Sequence, residues 1–456
     1  MLILLFIASL SIRILILLAP RSLVWDGTIY VAMGKYIFSH GTVGYWEPFR
    51  PVIWPAILGF LWKLGFDSYT LGIYIQILAS LIALYFTYKI GEKVARGSGL
   101  YAATLLSFTP IFMAFIIAPL TDLPSVAIAL GALYFFLEEY FFTAGILVAV
   151  AFLFRFPQIL IGLPLGFMTL VYLVRDKRKR PIARFLLGVV PILCAFFIFN
   201  SIAYHDPLYP IHTGTIVTAT STGPHDHETF FYSINTFIEN PFLLFLITAI
   251  VLWLWNFKST LRNNARILVM LNALVVGLYF GFFPHKELRY SIAFLPYLAL
   301  MAAFGIHYFF GTIKSKYTRP IITLFLIVSL LLISLQALNN NIPEGPTKEL
   351  QAYLGFFHSL PGAKVISSSP QLLAHNDIHA TSISDTWEDM YDNYEDDTIA
   401  REYVALDTCQ LSCATTAEKC ATAKYDLLTE LGERETLMLS KNTAGSCSLL
   451  IYKTSQ

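Results

Sequence analysis

Long apolar runs are the feature that most constrains how this chain can fold. Segments such as PIITLFLIVSLLLISLQAL approach the ~20 apolar residues that a helix needs to cross a lipid bilayer. The chain is 56% hydrophobic and 13% charged, whereas soluble domains carry about a quarter charged residues. The alternating pattern of a membrane β-barrel is missing. The sequence therefore predicts a polytopic α-helical membrane protein, and its net charge of +1 gives no indication of a nucleic-acid partner.

About eleven of these runs are predicted to span the membrane. The first lacks the basic start and the small-residue cleavage site of a secretory signal peptide, so we interpret it as a spanning helix. Arg13 within it is expected to face other helices, because a charge that faces lipid is costly. The predicted spans lie near residues 2–20, 70–89, 100–118, 123–139, 142–157, 158–174, 183–201, 239–256, 267–283, 291–309 and 319–338.

Basic residues predict the orientation of the spans. Four short basic loops, YKIGEKVARGSG, RDKRKRPIARF, FKSTLRNNAR and GTIKSKYTR, fall on the same side as the amino terminus. Such loops remain in the cytoplasm, so we expect a multi-pass protein of the cell membrane with a cytoplasmic amino terminus. Residues 21–69 and 202–238 would then be outer segments. Pro48, Pro51 and Pro55 argue against an uninterrupted span in the first of them and favour interfacial helices.

The tail of the chain, residues 340–456, is predicted to be a soluble extracytoplasmic domain, separate from a membrane domain of residues 1–339. The tail holds seventeen Asp and Glu residues against eight Lys and Arg, so it is acidic. AKVISSS and CSLLIYK are typical of strands and AEKCATAKYDLLTELGE of a helix, which predicts a small α/β domain. Its cysteines predict one or two disulfides of undetermined pairing, with a zinc site as the alternative. They are Cys409, Cys413, Cys420 and Cys447.

Ionisable residues gather at four places on the predicted outer face, where polar groups are functional candidates by default. Asp26 in VWDGTIY and Asp122 in APLTDLPS each precede or begin a helix, so they could instead be capping residues. The stretch HKELRY could be an ion-pair knot that fixes a short loop. The four places are Asp26; Asp122; His285, Lys286, Glu287 and Arg289; and the loop residues His205, Asp206, His225, Asp226, His227 and Glu228.

The His-rich loop could hold a divalent metal through imidazole and carboxylate groups, although solvated loop residues are the favoured interpretation. Arg155, in FLFRFPQ, is predicted near the outer end of its span. It could reach a phosphate group, or it could anchor the helix at the interface.

Taken together, these residues resemble the GT-C superfamily of membrane glycosyltransferases, which use sugars linked to polyprenyl phosphates. The resemblance covers about residues 5–335 and rests on WDGTIY, EPFRPVIWPAILGFLWKLG, YKIGEKVA, TDLP and FNSIAYHDPLYP. HKELRY resembles the His-Lys-Glu-x-Arg-aromatic motif of the branch that uses dolichyl-phosphate mannose. The Asp26 region lacks the paired Asp-Glu of protein O-mannosyltransferases, which puts a protein acceptor in doubt.

The resemblance implies a GT-C fold and an inverting transfer of a sugar, mannose by analogy, from a polyprenyl or dolichyl phosphate to an acceptor hydroxyl group. Asp26 would be the catalytic base, and Asp122 a second catalytic carboxylate that orients the acceptor or the base. Candidate substrate-binding residues are Lys286, Arg289, His285, Glu287, Arg50 and Arg155. Lys and Arg suit a leaving phosphate because they carry positive charge and hydrogen-bond donors.

The predicted partners are the lipid-linked donor, membrane lipids, and a glycan, lipid or protein acceptor. No cofactor is required by such a reaction. A transporter or flippase of lipid-linked glycans is the main alternative; it would show inverted repeats and ionisable groups near the bilayer midplane. A whole-glycan ligase would also fit the fold, but the Trp-Trp-Asp motif of oligosaccharyltransferases is absent, since Trp387 is followed by EDM. A receptor or structural protein would leave HKELRY unexplained.

Overall fold

The structure is a computed structural model. Contacts between residues divide the chain into two compact units. Met1–Ala19 and Tyr74–Ile342 form the first, here the membrane unit, and Pro20–Ile73 and Pro343–Gln456 form the second, here the loop–tail unit. The structure describes residues 2–18, 23–220, 242–255, 258, 261–283, 285–312, 328–329, 331–332, 336, 347–443 and 447–455.

The membrane unit is built from apolar helices, and each predicted span up to residue 309 coincides with one or two of them. Apolar side chains of these helices pack into one large buried core. The predicted span 319–338 lies mostly outside the described residues. The helices are Leu2–Leu17, Ser68–Val94 (which begins in the loop–tail unit), Gly99–Ser107, Pro110–Ala114, Asp122–Leu137, Phe141–Phe154, Gly162–Val174, Arg180–Tyr204, Tyr209–Thr220, Phe242–Trp255, Asn264–Phe282 and Leu295–Thr312.

Helix length and composition support a multi-pass membrane protein. Within the described ranges, four helical segments are long and apolar enough to cross a membrane, and several shorter apolar helices accompany them. A fifth candidate span is bent by 63° between Gly99–Ser107 and Pro110–Ile117. The bend falls at Pro110, whose missing N–H and fixed φ interrupt a helix that would otherwise continue.

Close helix packing and a buried cation shape the interior of the membrane unit. A Cβ atom added to Gly188 would lie 2.3 Å from the carbonyl oxygen of Phe142, so helices Phe141–Phe154 and Arg180–Tyr204 meet at backbone distance. Arg13 is buried, as expected, and its Nε donates a 2.8 Å hydrogen bond to Ser80. The first helix therefore directs its charged side chain towards its neighbours, whereas apolar side chains such as Ile3 and Leu4 are exposed.

Two short helices, Trp25–Phe38 and Ile53–Lys63, form the first part of the loop–tail unit. Helix Ile53–Lys63 lies in the stretch where Pro48, Pro51 and Pro55 argue against an uninterrupted span, and Pro55 is its third residue. The helices cross where two glycines meet, because a Cβ atom on Gly34 would lie 2.5 Å from the backbone nitrogen of Gly59. Larger residues at this crossing would force the two helices apart.

The tail is an α/β domain with a five-stranded sheet in the order β2-β1-β3-β5-β4. Strands β2, β1 and β3 are parallel, and β5 pairs antiparallel with both β3 and β4. The predicted strands correspond to β1 and β5, and the predicted helix to Ala417–Arg434. The elements are β1 Lys364–Ser367, β2 His379–Ile383, β3 Tyr403–Asp407, β4 Thr436–Asn442 and β5 Ser448–Lys453, with helices Lys348–Gly355, Gln371–His375, Trp387–Glu395 and Ala417–Arg434.

The four tail cysteines form two disulfides. Cys409 pairs with Cys447 and Cys413 with Cys420, each with a Cα–Cα distance of 5.4 Å. The prediction of disulfides is confirmed, and the pairing that the sequence left open is now assigned. These cysteines do not provide zinc ligands, because each sulfur is bonded to another sulfur in one of the two disulfides.

The loop that follows the first helix folds together with the tail. Lys35, on helix Trp25–Phe38, is buried, and its Nζ donates 2.9 Å hydrogen bonds to the carbonyl oxygens of Leu373 and Asn376. The backbone N–H of Gly44 donates a 2.7 Å bond to Ile378 beside strand β2. The sequence boundary at residues 339 and 340 assigned this loop to the membrane domain, whereas the contacts group it with the tail, because the tail satisfies its buried donors.

Candidate functional site

Asp26 lies in the first turn of helix Trp25–Phe38, where it is paired with a cation. Its Oδ1 atom is 2.9 Å from Nη1 of Arg50, and both side chains are 15% exposed. The Nε of Arg50 also donates to a carboxylate oxygen of Glu47. The same guanidinium lies over the ring of Tyr30, 5.3 Å from its centroid. One arginine therefore holds two carboxylates in fixed positions.

Burial and pairing set the charge state of this group. Burial raises the pKa of Glu47 above its usual range; Arg50 opposes the rise, while Asp26 and Asp385 add to it. Burial lowers the pKa of Arg50, but Asp26 and Glu47 outweigh that effect and hold it well above its usual value. Arg50 therefore stays charged and is shared by two carboxylates. An excess of carboxylate over cation suits a group that accepts a proton.

Glu47 is a member of this cluster that the sequence analysis did not single out. Its signal is the stretch EPFR, in which an acid precedes Arg50 by three residues. The four residues form a turn, in which the backbone N–H of Arg50 donates to the carbonyl oxygen of Glu47 at 3.2 Å, and this turn brings the two side chains together. The prolines in and after EPFR indicate a break in the backbone and give no sign of this ion pair.

Asp122, in the membrane unit, is the first residue of helix Asp122–Leu137 and is buried. Its Oδ1 accepts a hydrogen bond from Nη1 of Arg155. The guanidinium of Arg155 also lies over the ring of Tyr290, 5.2 Å from its centroid. Thr121, at the N-cap position, makes no side-chain capping bond. The carboxylate of Asp122 is therefore engaged by a cation, which the capping alternative did not anticipate.

Glu287 is the centre of the HKELRY cluster. One of its carboxylate oxygens, Oε1, lies 3.0 Å from Nε2 of His285 and 2.8 Å from Nη2 of Arg289. The hydroxyl group of Tyr290 donates to the same oxygen at 3.2 Å. The cluster thus concentrates one carboxylate and several donors within a loop between two apolar helices, as the ion-pair alternative expected. Donors in excess of acceptors suit an anionic ligand.

Lys286 has a different position from its neighbours in HKELRY. Its side chain is buried, and Nζ donates to the carbonyl oxygens of Gly281, at 2.7 Å, and of Phe283. These carbonyls lie at the end of helix Asn264–Phe282, where backbone acceptors have no partner within the helix. Lys286 therefore caps this helix, and its predicted phosphate contact would require those bonds to be exchanged.

The candidate metal loop is only partly described. His225, Asp226, His227 and Glu228 lie outside the described residues. Asp206 lies within them and is 3.0 Å from Nδ1 of His212. Across the residues that the structure describes, no group of three or more His, Cys, Asp or Glu side chains could hold a metal ion.

Comparison with known proteins places the chain among glycosyltransferases. The model of the Alg9-like mannosyltransferase family matches residues 35–369. This range includes EPFR, Asp122, Arg155 and HKELRY, whereas Asp26 lies before it. No curated protein matches the sequence.

Solved structures share the fold at low sequence identity. ArnT from Cupriavidus metallidurans, bound to undecaprenyl phosphate, is 11% identical with a TM-score of 0.64, and the match covers 99% of this chain and 97% of ArnT. The oligosaccharyltransferase of Archaeoglobus fulgidus, in complex with Zn and sulfate, is 13% identical with a TM-score of 0.63, over 99% of this chain and 73% of that chain. Both are glycosyltransferases of the GT-C fold, so this chain has that fold.

Proposed function

The chain belongs to the Alg9-like mannosyltransferase family, and from that premise we propose that it transfers mannose from a dolichyl or related polyprenyl phosphate to an acceptor hydroxyl group. It is a membrane glycosyltransferase of the GT-C fold. We further propose that the reaction takes place at the outer face, where the basic-loop pattern puts Asp26 and HKELRY.

The observation that carries the proposal is the ion pair of Asp26 with Arg50, in which Oδ1 and Nη1 are 2.9 Å apart. In the proposed step, Asp26 accepts the proton of the acceptor hydroxyl group while the acceptor oxygen forms a bond to the anomeric carbon. The bond between that carbon and the phosphate oxygen breaks, and the phosphate leaves with the electron pair. A single displacement of this kind needs one base and inverts the anomeric configuration, unlike the two-carboxylate retaining arrangement.

The remaining candidate residues have roles in substrate binding. Arg289 and His285 supply positive charge and donors for the leaving phosphate. Asp122, held by Arg155, orients a sugar hydroxyl group through its second oxygen. Lys286 acts on the phosphate through the loop that it fixes, since its own donors contact backbone carbonyls.

The proposal is tested with the full chain in lipid nanodiscs and radiolabelled dolichyl-phosphate mannose. Octyl α-mannoside, an alkyl glycoside with free hydroxyl groups, and a membrane lipid extract serve as acceptors. We expect a new mannoside with inverted configuration and release of dolichyl phosphate. Dolichyl-phosphate glucose in a parallel reaction tests the choice of sugar. Movement of the labelled donor across the bilayer without a new glycosidic bond would support the flippase alternative and contradict the proposal.

A further inference from the structure

Gln76 supports the turn that leads into the helix of Asp122. It lies on helix Ser68–Val94, is fully buried, and donates through Nε2 to the carbonyl oxygen of Leu120. A carbonyl oxygen can only accept a hydrogen bond, so the amide nitrogen of Gln76 is the atom that faces Leu120. This contact fixes the orientation of the amide, and its Oε1 is directed away from Leu120.

Two buried acceptors near this turn lack a donor within the described part of the chain. Oε1 of Gln76 and Oδ2 of Asp122 are both buried and find no hydrogen-bond partner among the described residues. Buried polar groups are rarely left without a partner, because the lost hydration is not replaced. Both atoms only accept, so their natural partner is a molecule that offers hydrogen-bond donors.

The surroundings hold Asp122 in place. Oδ1 of Asp122 accepts from Arg155. Ser125 donates a 2.9 Å bond to the backbone carbonyl oxygen of Asp122, and Gln158 donates to Ser125 at 3.3 Å. The carboxylate therefore has one oxygen committed to a cation and the other oxygen held in a fixed direction. A carboxylate oxygen fixed in this way can bind a substrate hydroxyl group only in one position, and it therefore orients the substrate.

We propose that Gln76 and Asp122 form a recognition pair that accepts hydrogen bonds from two hydroxyl groups of a sugar. The inference rests on the proposed function, since it presumes that a sugar enters the membrane unit. A pyranose carries neighbouring hydroxyl groups that can serve both acceptors at once. The sugar is that of the lipid-linked donor or that of the acceptor, and both offer the same chemistry.

The test combines protein and substrate changes. Gln76→Met keeps the side-chain length and removes both polar atoms, and Gln76→Glu keeps the shape and replaces the amide. The matched control is Thr87→Val, on the same helix, where Thr87 is also buried with an oxygen that has no partner. KM and kcat are measured with dolichyl-phosphate mannose and octyl α-mannoside, and then with deoxy analogues of each sugar.

We expect Gln76→Met to raise KM about tenfold for one of the two substrates, with little change in kcat, because one hydrogen bond to a buried acceptor is lost. The increase should vanish with one deoxy analogue of that substrate, which identifies the source of the sugar and the hydroxyl group. Thr87→Val should leave both KM values unchanged.

The proposal is overturned if KM is unchanged in both Gln76 variants, or if the increase persists with every deoxy analogue. An unchanged KM with a lowered thermal unfolding midpoint would identify Gln76 as a structural residue of the turn and would leave the proposed function intact. Absence of transfer by the unmodified chain would instead contradict the proposed function itself.

Discussion

Each of the two units contains a cluster of ionisable side chains, and the two clusters differ in whether carboxylates or donors are in excess. In the loop–tail unit, one guanidinium, that of Arg50, is shared by the carboxylates of Asp26 and Glu47. In the membrane unit, one carboxylate, that of Glu287, is surrounded by donors from His285 and Arg289. Negative groups are in excess in the first cluster, and donors are in excess in the second.

This contrast divides the chemistry between the clusters. A surplus of carboxylate favours uptake of a proton from a hydroxyl group, and a surplus of donors favours an anion that develops in the reaction. Transfer of a sugar from a lipid phosphate needs both. Under the proposed function, proton removal is the role of the first cluster and stabilisation of the phosphate that of the second, and each role can be tested separately.

Asp26→Asn should have the largest effect. The amide keeps the size of the side chain but cannot take up the proton, so we expect transfer to fall about 10²–10⁴-fold. Initial rates with radiolabelled donor measure the effect, and thermal unfolding checks the fold. The control is Asp67→Asn, since Asp67 caps a helix through a 3.1 Å bond from Tyr69. Retained activity in Asp26→Asn would remove Asp26 from the mechanism.

Arg289→Gln should have an intermediate effect. Loss of a charged donor at the leaving phosphate should lower kcat about 10²-fold, the lower end of the range for removal of one such donor. Arg178→Gln is the matched control, because Arg178 also pairs with a glutamate, Glu139, at 2.8 Å, but at an exposed site. Equal effects of the two substitutions on kcat would contradict a role in the reaction.

Arg50→Gln should mainly change the pH dependence. Arg50 lowers the pKa of Glu47 against the effect of burial, so its removal lets the carboxylate cluster take up protons at higher pH. The acid limb of the kcat/KM profile should move upward by about one pH unit or more, with activity recovering as pH rises. Arg434→Gln, which removes an exposed arginine that pairs with Glu430, should leave the profile unchanged. A downward or absent shift would contradict the sharing of Arg50.

The sequence predicted the fold well where local composition decides it. Apolar length located the spans, and the prolines predicted that no uninterrupted span occupies the stretch that contains the short helix Ile53–Lys63. Strand and helix patterns located the tail elements, because each is a continuous segment. The bend at Pro110 was not predicted, since proline within an apolar run is compatible with either a kink or an intact span.

The sequence indicated candidate residues for the site but not the contacts that they make. Asp26, Asp122 and HKELRY stand out because ionisable residues are rare in and directly beside apolar spans. The capping role of Lys286 depends on where a helix ends. The contact of Lys35 with Leu373 joins two segments that are 338 residues apart in the sequence. Such long-range pairings leave no periodic trace in the chain, so the association of the first loop with the tail could not be read from it.

The shared core of the loop–tail unit has a consequence for how the protein is made. Ala32, on the helix that carries Asp26, belongs to the same apolar cluster as Ile451 in strand β5. The ribosome makes Ala32 long before Ile451, and most of the membrane helices are synthesised between them. The surroundings of Asp26 are thus completed only once strand β5 has been synthesised, so nascent chains that stall earlier carry the residue without its finished support.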